Sequence, residues 1–264
     1  MQLGIIGTGQ MGGMLTTAFA KIKQPQLVIF NRTAGKAAMI QQKYPDQIQI
    51  ADSMESIITT SDFLFLCLKS TDTQHWLLKW GDMLKSNQCL IMTTSQIPIA
   101  VAESLTVSQI AKVIPSITQY ALSGYLLYAL GPRTEEMTRA VLFQLLSQIG
   151  MPLAIDENKT RIYADLSSCG PAFFATMIHL MAEEAEKKGV PSHTAELIIV
   201  QTLMGTIHLI KDHHFTLEDI IQKVSVPGGV TEAGVILLQQ ALPNTFHELF
   251  EATELRHTEI NTSS

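Results

Sequence analysis

The chain has 264 residues, of which 46% are hydrophobic and 16% charged, and a formal net charge of −6. That length suffices for two modest domains with real cores, and that composition excludes a disordered chain. The negative charge and the lack of any Lys/Arg block argue against a nucleic-acid partner, because phosphate backbones are bound by basic faces. No run approaches the ~18 consecutive apolar residues of a membrane span. The start, Met1-Gln-Leu-Gly-Ile-Ile-Gly7, reads as a strand rather than a signal peptide, so a cytoplasmic protein without membrane contact is expected. Cys67, Cys89 and Cys169 are odd in number, far apart and lack C-x-x-C spacing, which reads as reduced thiols with neither disulfides nor a metal site.

In chain order, residues 3–6 form an apolar run ending in a glycine turn, and residues 11–23 read as a helix with Leu15, Ala18, Phe19 and Ile22 on one stripe. A strand at 27–30, a helix at 34–43, a strand at 48–50 and a short helix at 54–59 follow. Residues 63–68 are uninterruptedly apolar, as a strand buried on both faces of a parallel sheet must be. Strands at 90–93, 112–114, 125–129 and 153–155 repeat the type, with helical stretches between them, the last at 135–148. Alternating strands and helices of this kind predict a doubly wound α/β sheet.

The pattern changes near Asp156. Beyond it the chain reads as helices only: 171–188, closed by Gly189; roughly 192–211; then 217–223, 230–240 and 244–257, with a fraying tail at 261–264. In the second of these, Leu197, Val200, Leu203, Met204, Ile207, Leu209 and Ile210 are too many for one face, which predicts burial between subunits. Two domains are therefore expected, residues 1–156 and 157–264. His213 and His214 are adjacent and point about 100° apart on a helix, a poor metal pair. His75, Trp76 and Trp80 read as a packing stripe, and Asp165 as a cap of the following helix or of its entry loop.

Gly7-x-Gly9-x-x-Gly12 sits between an apolar strand and a helix, the context of a dinucleotide-binding turn. Gly7 permits the tight turn, Gly9 lets a pyrophosphate approach the backbone, and Gly12 lets helix and strand close together; the free N–H groups face the phosphates. Near the end of the second strand, where an NAD enzyme places an acid for the ribose, the chain has Asn31-Arg32-Thr33 with Lys36 beyond. Arg and Thr suit a 2′-phosphate, so NADP(H) is favoured over NAD(H). In the helical half, Pro227-Gly228-Gly229 forms a turn before Val230-Thr231, able to present N–H groups to a carboxylate. The Thr231 hydroxyl can donate to one ligand atom and accept from another, or simply cap the helix.

Together these segments resemble the pyrroline-5-carboxylate reductase family over essentially the whole chain. The resemblance rests on Gly4-Ile-Ile-Gly-Thr-Gly-Gln-Met-Gly12, Phe65-Leu-Cys-Leu-Lys69, Val113-Ile-Pro115, Leu166-Ser-Ser-Cys-Gly-Pro-Ala-Phe173 and Pro227-Gly-Gly-Val-Thr-Glu-Ala-Gly234, in that order and spacing. Within the family the chain most resembles the reductase-like proteins of the late-competence operon of bacilli, through Val113-Ile-Pro-Ser-Ile-Thr118, Ser168-Cys-Gly-Pro-Ala-Phe173 and Phe246-His-Glu-Leu-Phe-Glu-Ala-Thr253. The resemblance implies a Rossmann-type N-terminal domain and an all-α C-terminal dimerisation domain, hence a homodimer or higher oligomer. It implies hydride transfer from NAD(P)H to the C=N of 1-pyrroline-5-carboxylate, a cyclic imino acid, giving proline in amino-acid biosynthesis.

By position, Ile6, Gly7, Thr8, Gly9, Gln10 and Met11 would line the pyrophosphate, and Asn31, Arg32 and Thr33 the ribose phosphate. Cys67, Leu68, Lys69 and Ser70 would border the ribose, and Thr94, Ser95 and Gln96 the nicotinamide. Ser53 is matched to a residue near the adenine. Val226, Gly228, Gly229, Val230 and Thr231 would hold the substrate, with Thr231 orienting the imine nitrogen. An iminium is already electrophilic, so orientation is demanded more than a strong acid.

The match departs from the family where chemistry is expected. Val226 replaces a serine, which removes a hydroxyl donor to the carboxylate, a bond typically worth about 1.5–3 kcal/mol. Ser116 replaces an asparagine, Thr94-Ser95-Gln96 replaces Ala-Ala-Gly, and Ser70 replaces a proline. Two rivals follow: a β-hydroxyacid dehydrogenase, for which the helix after Pro171 offers no lysine before Lys187, and a catalytically weak NADPH-binding regulatory protein.

Overall fold

A computed structural model of the chain describes residues 1–24 and 26–262, with side chains through Ile260. Two compact units result: Met1–Pro171 together with the chain from His257 on, and Ala172–Arg256.

The first unit is built on eight strands: β1 (Leu3–Ile6), β2 (Leu27–Phe30), β3 (Ile48–Ile50), β4 (Phe63–Leu66), β5 (Cys89–Met92), β6 (Gln109–Ile114), β7 (Tyr125–Leu130) and β8 (Met151–Ala154). Their order is β3-β2-β1-β4-β5-β6-β7-β8. Every pair is parallel except β6 with β7, an antiparallel step in an otherwise parallel sheet. The order reverses at β1, which has β2 on one side and β4 on the other. The C-terminal ends of strands at such a switch point are where an open α/β sheet binds its ligand.

The uninterrupted apolar runs have a simple cause, since both faces of the sheet are covered. Ile5, Phe65 and Ile91 belong to one core, in which Phe19 packs on Phe65 with ring centroids 5.7 Å apart. Ile6, Leu64, Leu66, Leu90 and Met92 belong to the other, with Trp76 and Leu77. Alternate residues of one strand thus serve opposite cores, as the two-residue period of a strand requires. The covering helices are α1 (Gln10–Lys21), α2 (Ala34–Gln41), α3 (Met54–Thr60), α4 (Ser70–Trp80), α5 (Ile99–Ser104), α6 (Glu136–Ser147) and α7 (Thr160–Ser167).

Two strand boundaries differ from expectation. β6 begins at Gln109 rather than at 112, because Gln109 is buried by its own bonds, accepting from Glu135 N at 2.9 Å and donating to Ser86 O. β8 runs two residues ahead of the expected 153–155 because it pairs from Tyr125↔Met151. Asp165 lies inside α7, 2% exposed and paired with Arg161 one turn earlier.

The helices after α7 are α8 (Gly170–Glu186), α9 (Ser192–His213), α10 (Leu217–Val224) and α11 (Val230–Thr262). α11 replaces two expected helices: Pro243 lies inside it and does not end it. The tail expected to fray belongs to α11 as far as Thr262, and the remainder of it lies outside the described residues. α9 is apolar nearly all round, as its sequence shows, and Leu197, Ile198, Leu203, Met204 and Ile207 are exposed in the single chain. Phe174, Leu180 and Met181 of α8 are exposed as well. Among the described residues, no helix is long and apolar enough to cross a membrane.

Candidate functional site

The glycine turn connects β1 to α1. Gly7 has φ +89°, a conformation that L side chains rarely adopt. A Cβ on Gly12 would lie 1.8 Å from Gly7 O, so only glycine lets α1 approach the turn this closely. Gly9 faces open space, with nothing within 4 Å of where its Cβ would be. Between them Thr8 is 5% exposed, and its Oγ1 is buried without a hydrogen-bond partner among the described residues. A buried hydroxyl left unpaired costs about 1–3 kcal/mol. It sits beside open backbone at the head of a helix, the combination that an anionic ligand would satisfy.

Two hollows flank this turn and share Leu68. The first, of about 360 Å³, is lined by Ile6, Gly7, Asn31, Arg32, Thr33 and Lys36 from the β1 and β2 side. Asn31 is fixed from both ends: its Oδ1 accepts from Thr8 N at 2.9 Å and its Nδ2 donates to Thr33 O at 2.9 Å. The opposite wall comes from α4 with Asp72, His75, Trp76, Lys79 and Trp80. This wall is the stripe read from sequence as packing alone. Trp76 does pack, donating its Nε1 to Met54 Sδ at 3.2 Å, yet it lines the hollow too, and Lys79 Nζ lies 4.8 Å over the Trp80 ring. Arg32, Lys36 and Lys79 outnumber the lone carboxylate of Asp72 in that lining.

The second hollow, of about 700 Å³, gathers Gly9, Gln10, Met11, Cys67, Lys69, Ser70, Thr94, Ser95 and Gln96. Thr71, Thr93 and Ile260 complete it. The loop after β5 is held by named bonds: Thr93 Oγ1 donates to Leu66 O at 3.2 Å, and Gln96 N donates to Thr94 Oγ1 at 3.3 Å. Ser95 Oγ lies 3.4 Å from His257 Nε2. Burial pushes the Cys67 thiol up to about 12, against a smaller opposing effect of its Thr93 hydrogen bond, so this cysteine borders the hollow as a neutral group.

Two of the sequence-selected residues have other occupations. Ser53 caps α3, accepting from Ser56 N at 3.1 Å, and lines neither hollow. Ser116 is 2% exposed and donates to Ser167 O at 3.2 Å, tying the end of β6 to the Ser-Ser-Cys-Gly segment.

In the second unit, Gly228 has φ +75° and Gly229 N donates to Val226 O at 2.9 Å, closing the turn that starts α11. Thr231 stands half-buried in the first helical turn, while Val226 and Val230 are exposed, Val230 at 93%. Gly228 N is already engaged by a carboxylate of this chain, Glu232 Oε2 at 2.7 Å. Sequence reading missed Glu232, although its place three residues past Gly229 is where an acid folds back onto a helix start.

The parallel strands, switch point and glycine turn define a dinucleotide-binding domain of the Rossmann class. Residues 2–96 match the family described as NADP oxidoreductase, coenzyme F420-dependent, and residues 157–260 the family described as pyrroline-5-carboxylate reductase dimerisation. ComE operon protein 4 of Bacillus subtilis is 33% identical over 263 residues, 98% of this chain and 96% of its own length. Pyrroline-5-carboxylate reductase 3 of the same organism is 26% identical, covering 99% of this chain and 97% of its own. Two solved structures share the fold. Pyrroline-5-carboxylate reductase of Coxiella burnetii has a TM-score of 0.85 at 18% identity, covering 99% of this chain and 97% of its own. Pyrroline carboxylate reductase of Plasmodium falciparum with NADP bound has a TM-score of 0.81 at 19% identity, with 99% and 97% coverage. The chain belongs to the pyrroline-5-carboxylate reductase family.

Proposed function

We propose that this chain is an NADPH-dependent imine reductase that reduces 1-pyrroline-5-carboxylate, or a closely related cyclic imino acid, to the saturated ring amine. The observation that carries the cofactor half is the orphaned Thr8 hydroxyl, buried beside open backbone at Gly9 in a turn that requires Gly7 and Gly12. Those residues fit a pyrophosphate, and family membership supplies the reaction class.

In this reading the N–H groups of the turn and the Thr8 hydroxyl bind the pyrophosphate, while Arg32, Thr33 and Lys36 bind the 2′-phosphate. Thr94, Ser95 and Gln96 edge the nicotinamide, which supplies the hydride when bound. The Gly228-Gly229 turn takes the imino acid's carboxylate in place of Glu232 at the Gly228 N–H, and the Thr231 hydroxyl orients the nitrogen. The new C–H bond forms at the imine carbon, and the C=N π electrons pass to a nitrogen that already holds its proton. Most of the acceleration then comes from holding two reactants in place. The exposed apolar residues of α8 and α9 support a homodimer closed through this unit.

A second reading has one observation in its favour. Glu232 occupies the Gly228 N–H with a carboxylate of the chain's own, and Val226 offers no hydroxyl beside it. A substrate carboxylate meets a like charge there, as suits an NADPH-binding regulatory paralogue with weak catalysis. The readings separate in one assay with purified protein, following the reduced-nicotinamide absorbance with NADPH or NADH and 1-pyrroline-5-carboxylate. Turnover with NADPH, lost by about ten-fold or more in Arg32→Ala for NADPH but not for NADH, supports the reductase. Tight NADPH binding without turnover on this or related cyclic imines leaves the regulatory reading.

A further inference from the structure

Lys112 is a charged residue in the middle of a central strand, 2% exposed on β6. It pairs with Met92 on β5 and Ala129 on β7, so it stands beside the strand end from which the second hollow's loop departs. Its ammonium makes two bonds: to Glu157 Oε1 at 2.6 Å and to the Ser95 carbonyl at 3.2 Å. The same Glu157 oxygen accepts from Ile99 N at 2.9 Å, at the first residue of α5. The loop between β5 and α5 is therefore clamped twice, at Ser95 by Lys112 and at Ile99 by Glu157.

The clamp fixes more than position. A peptide carbonyl and the following N–H point in opposite directions, so turning Ser95 C=O onto Lys112 turns Gln96 N–H the other way, where it donates to Thr94 Oγ1 at 3.3 Å. A Thr94 hydroxyl that accepts this bond has its own hydrogen left to donate, and Thr94 lines the second hollow. Burying an ammonium this deeply is costly, and desolvation holds Lys112 below its ordinary value despite Glu157. A methionine of similar length would fill the space without that cost. The lysine's distinctive product is the orientation of the 94–96 peptides.

We propose that Lys112 is a positioning residue for the nicotinamide end of the cofactor, acting through the Ser95 carbonyl and the Thr94 hydroxyl. The proposal rests on the cofactor reading above, and it concerns only the hollow built by the loop after β5. Lys112 touches neither cofactor nor substrate in this role.

The test compares two ligands that share everything but the nicotinamide: NADPH and 2′-phospho-ADP-ribose. Calorimetric affinities for both, and the fluorescence of bound NADPH, are measured for the wild type, Lys112→Met and Lys112→Arg. The expected result is an unchanged affinity of Lys112→Met for 2′-phospho-ADP-ribose, a preference for NADPH reduced by about ten-fold or more, and altered nicotinamide fluorescence. Lys112→Arg, which keeps a cation, recovers part of the preference. Equal weakening of both ligands marks a merely structural lysine and overturns the proposal, as does a preference that survives Lys112→Met intact. Should Lys112→Met not fold, Glu157→Gln takes its place; it keeps an acceptor for Ile99 N and is expected to lose the preference by a smaller factor, whereas an intact preference overturns the proposal. A wild type that binds neither ligand sinks the cofactor reading and the proposal together, whereas binding of both with only the clamp's effect missing sinks the proposal alone.

Discussion

At the scale of single residues, the glycine turn separates two jobs that glycine can have. Gly12 is required by packing, because an added methyl meets Gly7 O at 1.8 Å. Gly9 meets nothing within 4 Å, so the fold does not require it. Gly12→Ala is therefore expected to lower stability by about 1–3 kcal/mol or more, measured by denaturant unfolding. Gly9→Ala should leave the midpoint unmoved yet weaken NADPH binding by about ten-fold or more, because its methyl occupies the pyrophosphate's approach. Unaltered binding in Gly9→Ala would show that no ligand uses that opening. Glu232 gives a second residue-scale expectation. Glu232→Ala frees Gly228 N–H and removes a like charge, and should lower the KM for 1-pyrroline-5-carboxylate about three- to ten-fold. The helix start loses at most about 1 kcal/mol with its acid. A raised KM would mean that Glu232 helps to bind substrate.

These residues also show what a sequence can and cannot disclose. Gly7 and Gly12 are legible because backbone sterics make glycine nearly obligatory between a strand and a helix packed this closely. The apolar runs of β1 and β4 are legible because both sheet faces are covered. Lys112 was not, since its partner lies 45 residues along the chain and nothing in the local pattern marks a buried ammonium. Trp76 and Trp80 were visible as a helical stripe, but spacing cannot tell a packing stripe from a wall that also borders a hollow. Glu232 was hidden by the turn itself, which draws attention to its glycines.

At the scale of elements, α11 is the plainest conflict between local rule and outcome. Pro243 lacks the N–H that would bond the carbonyl one turn earlier, which ordinarily ends or kinks a helix at a cost of about 3 kcal/mol. The helix nevertheless runs from Val230 to Thr262. Its continuation past Pro243 reflects sequence on both sides that is good helix former, with Leu237, Leu238 and Gln240 before and Glu248 to Leu255 after. Pro243→Ala restores the missing bond and should raise the thermal midpoint, by about 1–3 kcal/mol of stability. A lowered midpoint would show that the proline is held by packing that alanine cannot supply. β6 carries the opposite lesson: polar Gln109 starts the buried strand three residues early, and polar Lys112 is kept within it, because each finds its partners.

At the scale of the whole molecule, the second unit exposes more large apolar side chains than a solitary domain of this family would keep wet. Leu203, Met204 and Ile207 of α9 and Phe174 and Leu180 of α8 are the residues that the proposed interface between copies of the chain would bury. Sedimentation of the wild type should give a dimer or a multiple of it, and a Met204→Glu, Ile207→Glu double variant should give monomers or insoluble protein. A monomeric wild type would contradict this account of the helical unit.

The central claim is that a hydride passes from NADPH to the imine carbon of a cyclic imino acid. The most direct measurement incubates the protein with 1-pyrroline-5-carboxylate and NADPH carrying two deuterium atoms at the nicotinamide C4, and analyses the product by mass spectrometry. The account predicts proline carrying a single deuterium on the ring carbon that had been the imine carbon. Proline without label, or no proline despite bound NADPH, would contradict it.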